Sequence, residues 1–241
     1  MINLRTLLPF VITLCFTSGA LALDLQSYEA VYQAKLGGFK VNILRSFQVQ
    51  GSDLTLSTDA KKLFFKRHEK SVSSLSDGIS VTPGDYVYKR KGFGKRRDRQ
   101  LVFSWKDATV VDLKKPKQAP LSLPEHTHDK LSYQVQMRID LMNTPSRELL
   151  EYVATDGERL IYINFHRLGT EILDTPLGKF QTIKFRQERR DKDTTVFLWV
   201  APELDYLLIR TDEIKKPGSK PQRLLLKKLS MDGKSLTNTD R

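Results

Sequence analysis

The chain has 241 residues and one cysteine, with 40 lysines and arginines against 28 acidic residues and a formal net charge of +12. A single cysteine excludes an internal disulfide framework, and a chain of this length can bury about 70% of the surface it exposes when unfolded, so a core is expected without covalent staples. The basic surplus points to an anionic partner. No phosphate-cradling glycine loop or nucleotide fingerprint occurs, so no cofactor is expected.

In chain order the first element is a leader. Met1 to Arg5 carries a charge, Thr6 to Phe16 is an apolar run, and Ala20-Leu21-Ala22 supplies the small-x-small pattern of a cleavage site. The spacing predicts a signal peptide over residues 1–22, with the mature chain starting near Leu23 outside the cytoplasm. The alternative is an uncleaved anchor, but the polar turn Thr17-Ser18-Gly19 favours cleavage. No later segment approaches the roughly 20 apolar residues of a spanning helix. Cys15 would leave with the leader, and Leu14 stands where a lipoprotein signal needs a small residue, so a protein with no lipid anchor and no thiol is expected. Loss of Arg5 from the 40 basic residues leaves 39 against 28 acids, a net charge of +11. The polyanions outside the cytoplasm are phospholipid head groups, lipopolysaccharide phosphates and acidic cell-wall polymers; nucleic acid is not expected there.

Beyond the leader most segments read as strands. Tyr28 to Lys35 and Phe39 to Val49 are separated by Gly37-Gly38, a hairpin signal. Asp85 to Tyr88 and Leu101 to Trp105 flank a basic stretch, while Lys114 to His128 is a loop containing Pro116, Pro120 and Pro124. Asp129 to Asn143 then shows helical spacing through Leu131, Val135, Arg138 or Ile139, and Met142, with Thr127 as a cap and Thr144-Pro145 as the stop. In Leu160 to His166, Ile161, Ile163 and Phe165 alternate with Tyr162, Asn164 and His166, and Phe180 to Arg186 alternates likewise. Val196 to Val200 is apolar throughout, a central strand covered on both faces, and Leu204 to Ile214 and Arg223 to Leu229 close the chain. Turn chemistry falls at Asp156-Gly157, Leu177-Gly178, Pro217-Gly218 and Asp232-Gly233. The pattern predicts one β-rich domain over residues 23–241, fraying from 232. Its antiparallel sheet would curl into a half-barrel or spiral, with the helix covering one mouth or plugging the concave face.

Several clusters carry candidate chemistry. Lys89, Arg90, Lys91, Phe93, Lys95, Arg96, Arg97 and Arg99 form a basic hairpin tip with an aromatic between two glycines, suited to an anionic interface or simply to discouraging edge pairing. His126 and His128 resemble a metal pair but lack a third ligand, and helix-entry chemistry beside Asp129 explains them as well. Tyr162, Asn164 and His166 share a polar strand face that could line a pocket. Glu151 and Glu171 could act as a glycosidase pair, although 28 acids offer many such pairs. Trp105 and Trp199 could stack on sugars, but Trp199 fits a core position better. No serine-hydrolase elbow occurs.

Three stretches resemble one family: Asp129-Lys-Leu-Ser-Tyr133, Asp174-Thr-Pro-Leu-Gly-Lys-Phe-Gln-Thr-Ile-Lys184 and Thr195-Val-Phe-Leu-Trp-Val-Ala-Pro-Glu-Leu-Asp-Tyr206. They are similar to domain-of-unknown-function family 3108, with its Asp-x-Leu-Ser helix opening, Thr-Pro-Leu-Gly turn and Trp-x-x-Pro-Asp turn. Glu203 stands here in place of the last aspartate. The resemblance implies a β-rich periplasmic protein of Gram-negative bacteria and carries no activity. The expectation is a non-enzymatic binding or scaffolding protein of the envelope, meeting an anionic component or an envelope protein through its concave face and basic tip. The alternatives are a lipid or lipoprotein carrier with an open cavity, an adaptor that adds a strand to its partner, and a cell-wall hydrolase.

Overall fold

The computed structural model describes residues 25–36, 38–62, 65–92 and 94–237. The leader expected at 1–22, with Cys15, lies outside them, as does Phe93. A first meander comprises β1 (Tyr28–Leu36), β2 (Phe39–Gln50), β3 (Asp53–Lys62), β4 (Phe65–Ser76), β5 (Ser80–Gly92), β6 (Lys95–Ser104), β7 (Thr109–Asp112) and β8 (Leu121–Ser122). Then come β9 (Thr127–His128) and α1 (Ser132–Asn143). A second meander holds β10 (Leu149–Thr155), β11 (Leu160–Thr175), β12 (Gly178–Arg189), β13 (Thr195–Ala201), β14 (Leu207–Ile214), β15 (Gln222–Met231) and β16 (Lys234–Leu236). Pairing of β1 with β15 fuses the two into one sheet ordered β8-β7-β6-β5-β4-β3-β2-β1-β15-β14-β13-β12-β11-β10-β9.

The two edges of this sheet are consecutive in the chain. Residues 123–126 carry it from β8 to β9, a stretch that spans at most about 18 Å fully extended. The sheet must therefore curl until its edges face one another, although they form no ladder: it is one long sheet not closed into a barrel. The half-barrel or spiral read from the alternation is the observed class.

The helix plugs the concave face. Ser132, Val135, Met137, Arg138, Ile139 and Leu141 are all buried, more than one stripe of the helix. Val135 and Ile139 join a core with Tyr32, Phe47, Tyr86 and Leu101 of the first meander, whereas Met137 and Leu141 join one with Leu150, Ile163, Phe165 and Phe185 of the second. One element thus ties both halves together.

Several elements differ from the sequence reading. Asp129, not Thr127, starts the helix: its Oδ1 accepts the N–H groups of Leu131 (2.7 Å) and Ser132 (3.0 Å), and Ser132 Oγ accepts the Asp129 N–H at 2.9 Å. Thr127 instead donates its hydroxyl to Pro124 O at 2.7 Å. β11 runs past His166 to Thr175 by absorbing a bulge between Arg167 and Gly169. β14 begins at Leu207 rather than 204, because Pro202–Leu204 forms a 3-10 turn and Asp205 and Tyr206 take left-handed φ values of 50° and 57°. β16 pairs with β15, so residues 234–236 belong to the sheet instead of a frayed tail.

Candidate functional site

An antiparallel meander sends successive turns to opposite ends of the sheet, and here the ends differ in charge. The turns after β1, β3, β5, β7, β10, β12 and β14 lie at one end. They carry Lys35 and Lys40; Lys61, Lys62 and Lys66; Lys114, Lys115 and Lys117; Arg190 and Lys192; and Lys215, Lys216 and Lys220, besides the tip formed by β5 and β6. The acids in these turns are Asp156, Glu158, Asp191 and Asp193, with Asp98 and Glu213 on the adjoining strand ends; Glu158 pairs with Arg99 and Lys115, and Asp191 with Arg159 and Arg189. The opposite turns carry Asp53, Asp77, Asp107, Glu125, Glu148, Asp174, Glu203, Asp205 and Asp232 against Lys106, Arg147, Lys179 and Lys234. The net positive charge of the chain is therefore gathered at one end.

Within the tip, Lys89, Arg90, Lys91, Lys95, Arg96 and Arg97 are exposed. Arg90 sits opposite Arg97 and Lys91 opposite Arg96, like-charge pairs that weaken a hairpin. Asp98 engages Arg96 at 2.8 Å, and a cleft of about 320 Å³ lies among Lys66, His68, Lys89, Arg90, Lys91 and Arg96. Arg99 is a correction. Only 9% exposed, it sits 3.5 Å from Asp112 and pairs with Glu158, so it locks β6 to neighbouring segments and is not available to a partner.

The other candidates separate. Ile161, Ile163 and Phe165 face the core, which puts Tyr162, Asn164 and His166 on the outer face instead of in a pocket. His166 Nε2 lies 3.1 Å from Glu188, and Arg190 covers the Tyr162 ring. His128 is buried and burial, aided by His126, pushes it down to about 4, while His126 adopts a left-handed φ of 57°. Among the described residues no group of three potential metal ligands converges. Glu151 lies opposite Asn164, seven residues along β11 from Glu171, or about 23 Å at the rise of a strand, beyond any glycosidase pair. Glu171 instead accepts the Trp199 Nε1–H at 2.6 Å. Trp199 is core as the sequence suggests, yet its outer cover is not a second layer: Lys184 and Arg210 lie over its ring at 4.9 and 4.4 Å. Trp105 stacks on Phe103 and donates to Pro83 O at 2.7 Å.

The concave face is only partly filled. A cavity of about 390 Å³ remains between α1 and the strands β12 to β15 and β1 to β2. Met137, Leu198, Val200 and Leu207 give it a buried apolar part, and half-buried Val196, Glu213 and Leu224, from strand ends at the basic end, are among the residues that line it. Arg45, Arg67 and Arg138 also line it. Arg138 is 6% exposed; its Nε donates to Asp205 O at 2.9 Å and its guanidinium lies over the rings of Tyr28 and Phe47 at 5.2 and 5.3 Å. Both of its terminal nitrogens are buried without a hydrogen-bond partner, and burial pushes the guanidinium below its ordinary pKa. Arg45 donates from Nε to Tyr28 Oη (3.1 Å) and from Nη2 to Gln134 Oε1 (2.8 Å). Sequence reading missed this cluster, though Arg138 occupies a position in the helix's apolar repeat and Arg45 stands between Ile43 and Phe47 on the inward parity of β2. A charge on an apolar periodicity was the available signal.

An open curled sheet with a plugging helix and a charge distribution polarised between its ends places the chain in a β-barrel-like class of fold. The family model "Protein of unknown function (DUF3108)" matches residues 28–225, and the chain belongs to that family. Among curated proteins nothing matches. Of solved structures, a β-barrel-like protein of domain of unknown function DUF1849 from Brucella abortus aligns with a TM-score of 0.60 and 13% identity, covering 87% of this chain and 99% of that one. That likeness shows the fold alone. A protein described as exported, from Bacteroides fragilis, aligns at 11% identity and a TM-score of 0.32 over 85% of this chain and 94% of its own. Another described as a lipoprotein, from Parabacteroides distasonis, aligns at 11% and 0.34 over 86% and 96%.

Proposed function

We propose that this chain is a non-catalytic binding protein of the periplasm that rests its basic end on an anionic phospholipid surface. The observation that carries this reading is the segregation of charge between the ends of the sheet, which like-charge pairs such as Arg90 and Arg97 maintain against local stability. The leader-like first 22 residues support the compartment. No helix among the described residues is long and apolar enough to cross a membrane.

The test is co-sedimentation with vesicles of phosphatidylglycerol and phosphatidylcholine. Each lysine or arginine near an anionic surface contributes about 1 kcal/mol, so the variant Lys95→Gln/Arg96→Gln/Arg97→Gln should bind about 100-fold more weakly. Binding should also fall steeply with salt. Equal binding to pure phosphatidylcholine, or an unchanged variant, refutes the reading; salt-sensitive binding to cell-wall polymer in place of vesicles would transfer the surface to that partner.

A further inference from the structure

The cavity under the helix does not need the basic end to explain it, and its lining combines two chemistries. Part of the lining is hydrocarbon: Met137, Leu198, Val200, Leu208 and Leu224. The same lining holds two guanidinium groups that flank a single tyrosine, Arg45 bonded to the Tyr28 hydroxyl and Arg138 stacked on its ring, and Gln134 ties Arg45 to the helix that carries Arg138. No carboxylate lies within 4 Å of Arg45 among the described residues, and the nearest to Arg138 is Asp205 Oδ2 at 3.9 Å, beyond hydrogen-bond reach. A buried cation with unmet donors is costly, and an anion that accepts from those donors relieves the cost. Water alone could meet them in part, but it would leave the apolar part of the lining wet.

We propose that this cavity binds a single-chain anionic amphiphile, its acid head on Arg138 and Arg45 and its hydrocarbon chain along the wall of Met137, Leu198, Val200 and Leu208. The volume of about 390 Å³ lies within the range of small-molecule sites, roughly 300–1,000 Å³, and near the low end of it. At roughly 30 Å³ per water-sized unit it holds on the order of a dozen heavy atoms, one chain and not two. A carboxylate and a phosphate monoester satisfy a guanidinium pair equally well in kind, both accepting bidentate bonds, so the shared chemistry covers a medium-chain fatty acid and a medium-chain alkyl phosphate. Val196, Glu213 and Leu224 of the lining lie next to the turns of the basic end, where such a ligand would enter from an anionic surface.

The experiment is calorimetric titration of the whole purified protein, kept below the micellar range, with dodecanoate, dodecyl phosphate, dodecanol and dodecyltrimethylammonium. One-to-one binding of one or both anions is expected, with the alcohol at least about tenfold weaker and the cation without heat. Preference between the two anions separates the fatty-acid source from the phosphate source. Arg138→Met should lose at least about tenfold in anion affinity. Because that change also removes a core contact of the helix, Arg45→Gln provides a second variant, and Arg138→Lys should recover part of the loss, each checked by thermal melting. No heat with either anion, equal affinity for dodecanol, or folded variants that bind like the parent would overturn the proposal. The test is distinguishable from vesicle docking: Lys95→Gln/Arg96→Gln/Arg97→Gln should lose vesicles while keeping one-to-one dodecanoate binding and its preference over dodecanol, weakened only through slower entry, and Arg45→Gln should keep vesicles while losing dodecanoate.

Discussion

Acidification should loosen the seam of the curled sheet through His128. This residue lies on β9, the edge strand, opposite Ala154 of β10, with its ring edge-on to Tyr152 at a centroid distance of 6.1 Å. Burial, with help from His126, lowers it from 6.5 to about 4. Between those values the unfolded chain takes up a proton that the folded chain refuses. The stabilisation is therefore complete above pH 6.5 and is lost as the pH falls towards 4. At 1.36 kcal/mol per pH unit the loss approaches about 3 kcal/mol, or roughly 6–12 °C in Tm for a domain of this size. Asp129, raised by burial, acts with the opposite sign, its contribution shrinking as pH rises through its folded value. Asp212, which Arg210 and Arg223 hold at about 2, weakens the fold only below its unfolded value of 3.8. Melting followed by circular dichroism from about pH 7.5 to about pH 4.5 should show the wild type losing stability and His128→Gln losing about 2.5 kcal/mol less over the same interval. Parallel profiles for the two proteins would refute this account of the seam.

Three further perturbations read the packing directly. Asp129→Ala leaves the N–H groups of Leu131 and Ser132 and the Ser71 hydroxyl without their acceptor and should cost about 2–4 kcal/mol in urea unfolding, whereas Asp129→Asn should cost clearly less. Ile139, fully buried where α1 meets the first meander, should lose about 2–5 kcal/mol on truncation to alanine without a change in the far-ultraviolet spectrum. Gly157→Ala places a Cβ 2.4 Å from Leu101 Cδ2 at a φ of +84°, combining overpacking with left-handed strain, and should cost about 2–4 kcal/mol. Gly218→Ala, at φ +76° with nothing within 4 Å, carries the strain alone and should cost about 1 kcal/mol.

How far the sequence discloses the structure depends on the physics of each signal. Period-two alternation is local, so Ile161, Ile163 and Phe165 disclosed which face of β11 is buried, and Leu54, Leu56 and Ala60 of β3 would have disclosed theirs by the same rule. Helical spacing from Leu131 to Met142 found α1 because the helix is buried on several sides and keeps many apolar residues. The sequence offered both Thr127 as a cap and Asp129 with Ser132 as the helix opening, both competent acceptors, and the structure uses Asp129, which the tertiary contact with Ser71 of β4 also holds. The basic tip was visible as a run of charge, but the polarity of the whole sheet was not. It arises from turns distant in sequence that an antiparallel meander delivers to one end. Arg99 looked like part of the run because parity alone, which turns it inward towards Asp112, has no signature in a string of basic residues.

The charge at the basic end and the amphipathic cavity bear on one another through geometry. Of the residues that line the cavity, Val196, Glu213 and Leu224 belong to strand ends at the basic end, and Arg67 belongs to the start of β4 beside Lys66. These lining residues lie next to the end where the field gathers anions, so an anion entering past them would not have to move against an unfavourable field. Burial of Arg138 then becomes intelligible as a sequence of increasing commitment, from screened attraction at exposed lysines to hydrogen bonds at a desolvated guanidinium, where each contact is electrostatically stronger. Inverting the charge of the exposed end should therefore slow anion entry and make it less salt-dependent while leaving the dissociation rate set by Arg45 and Arg138. Stopped-flow titration of dodecanoate into Lys95→Glu/Arg97→Glu measures both rates, and an unchanged association rate with a faster dissociation would separate the two surfaces functionally.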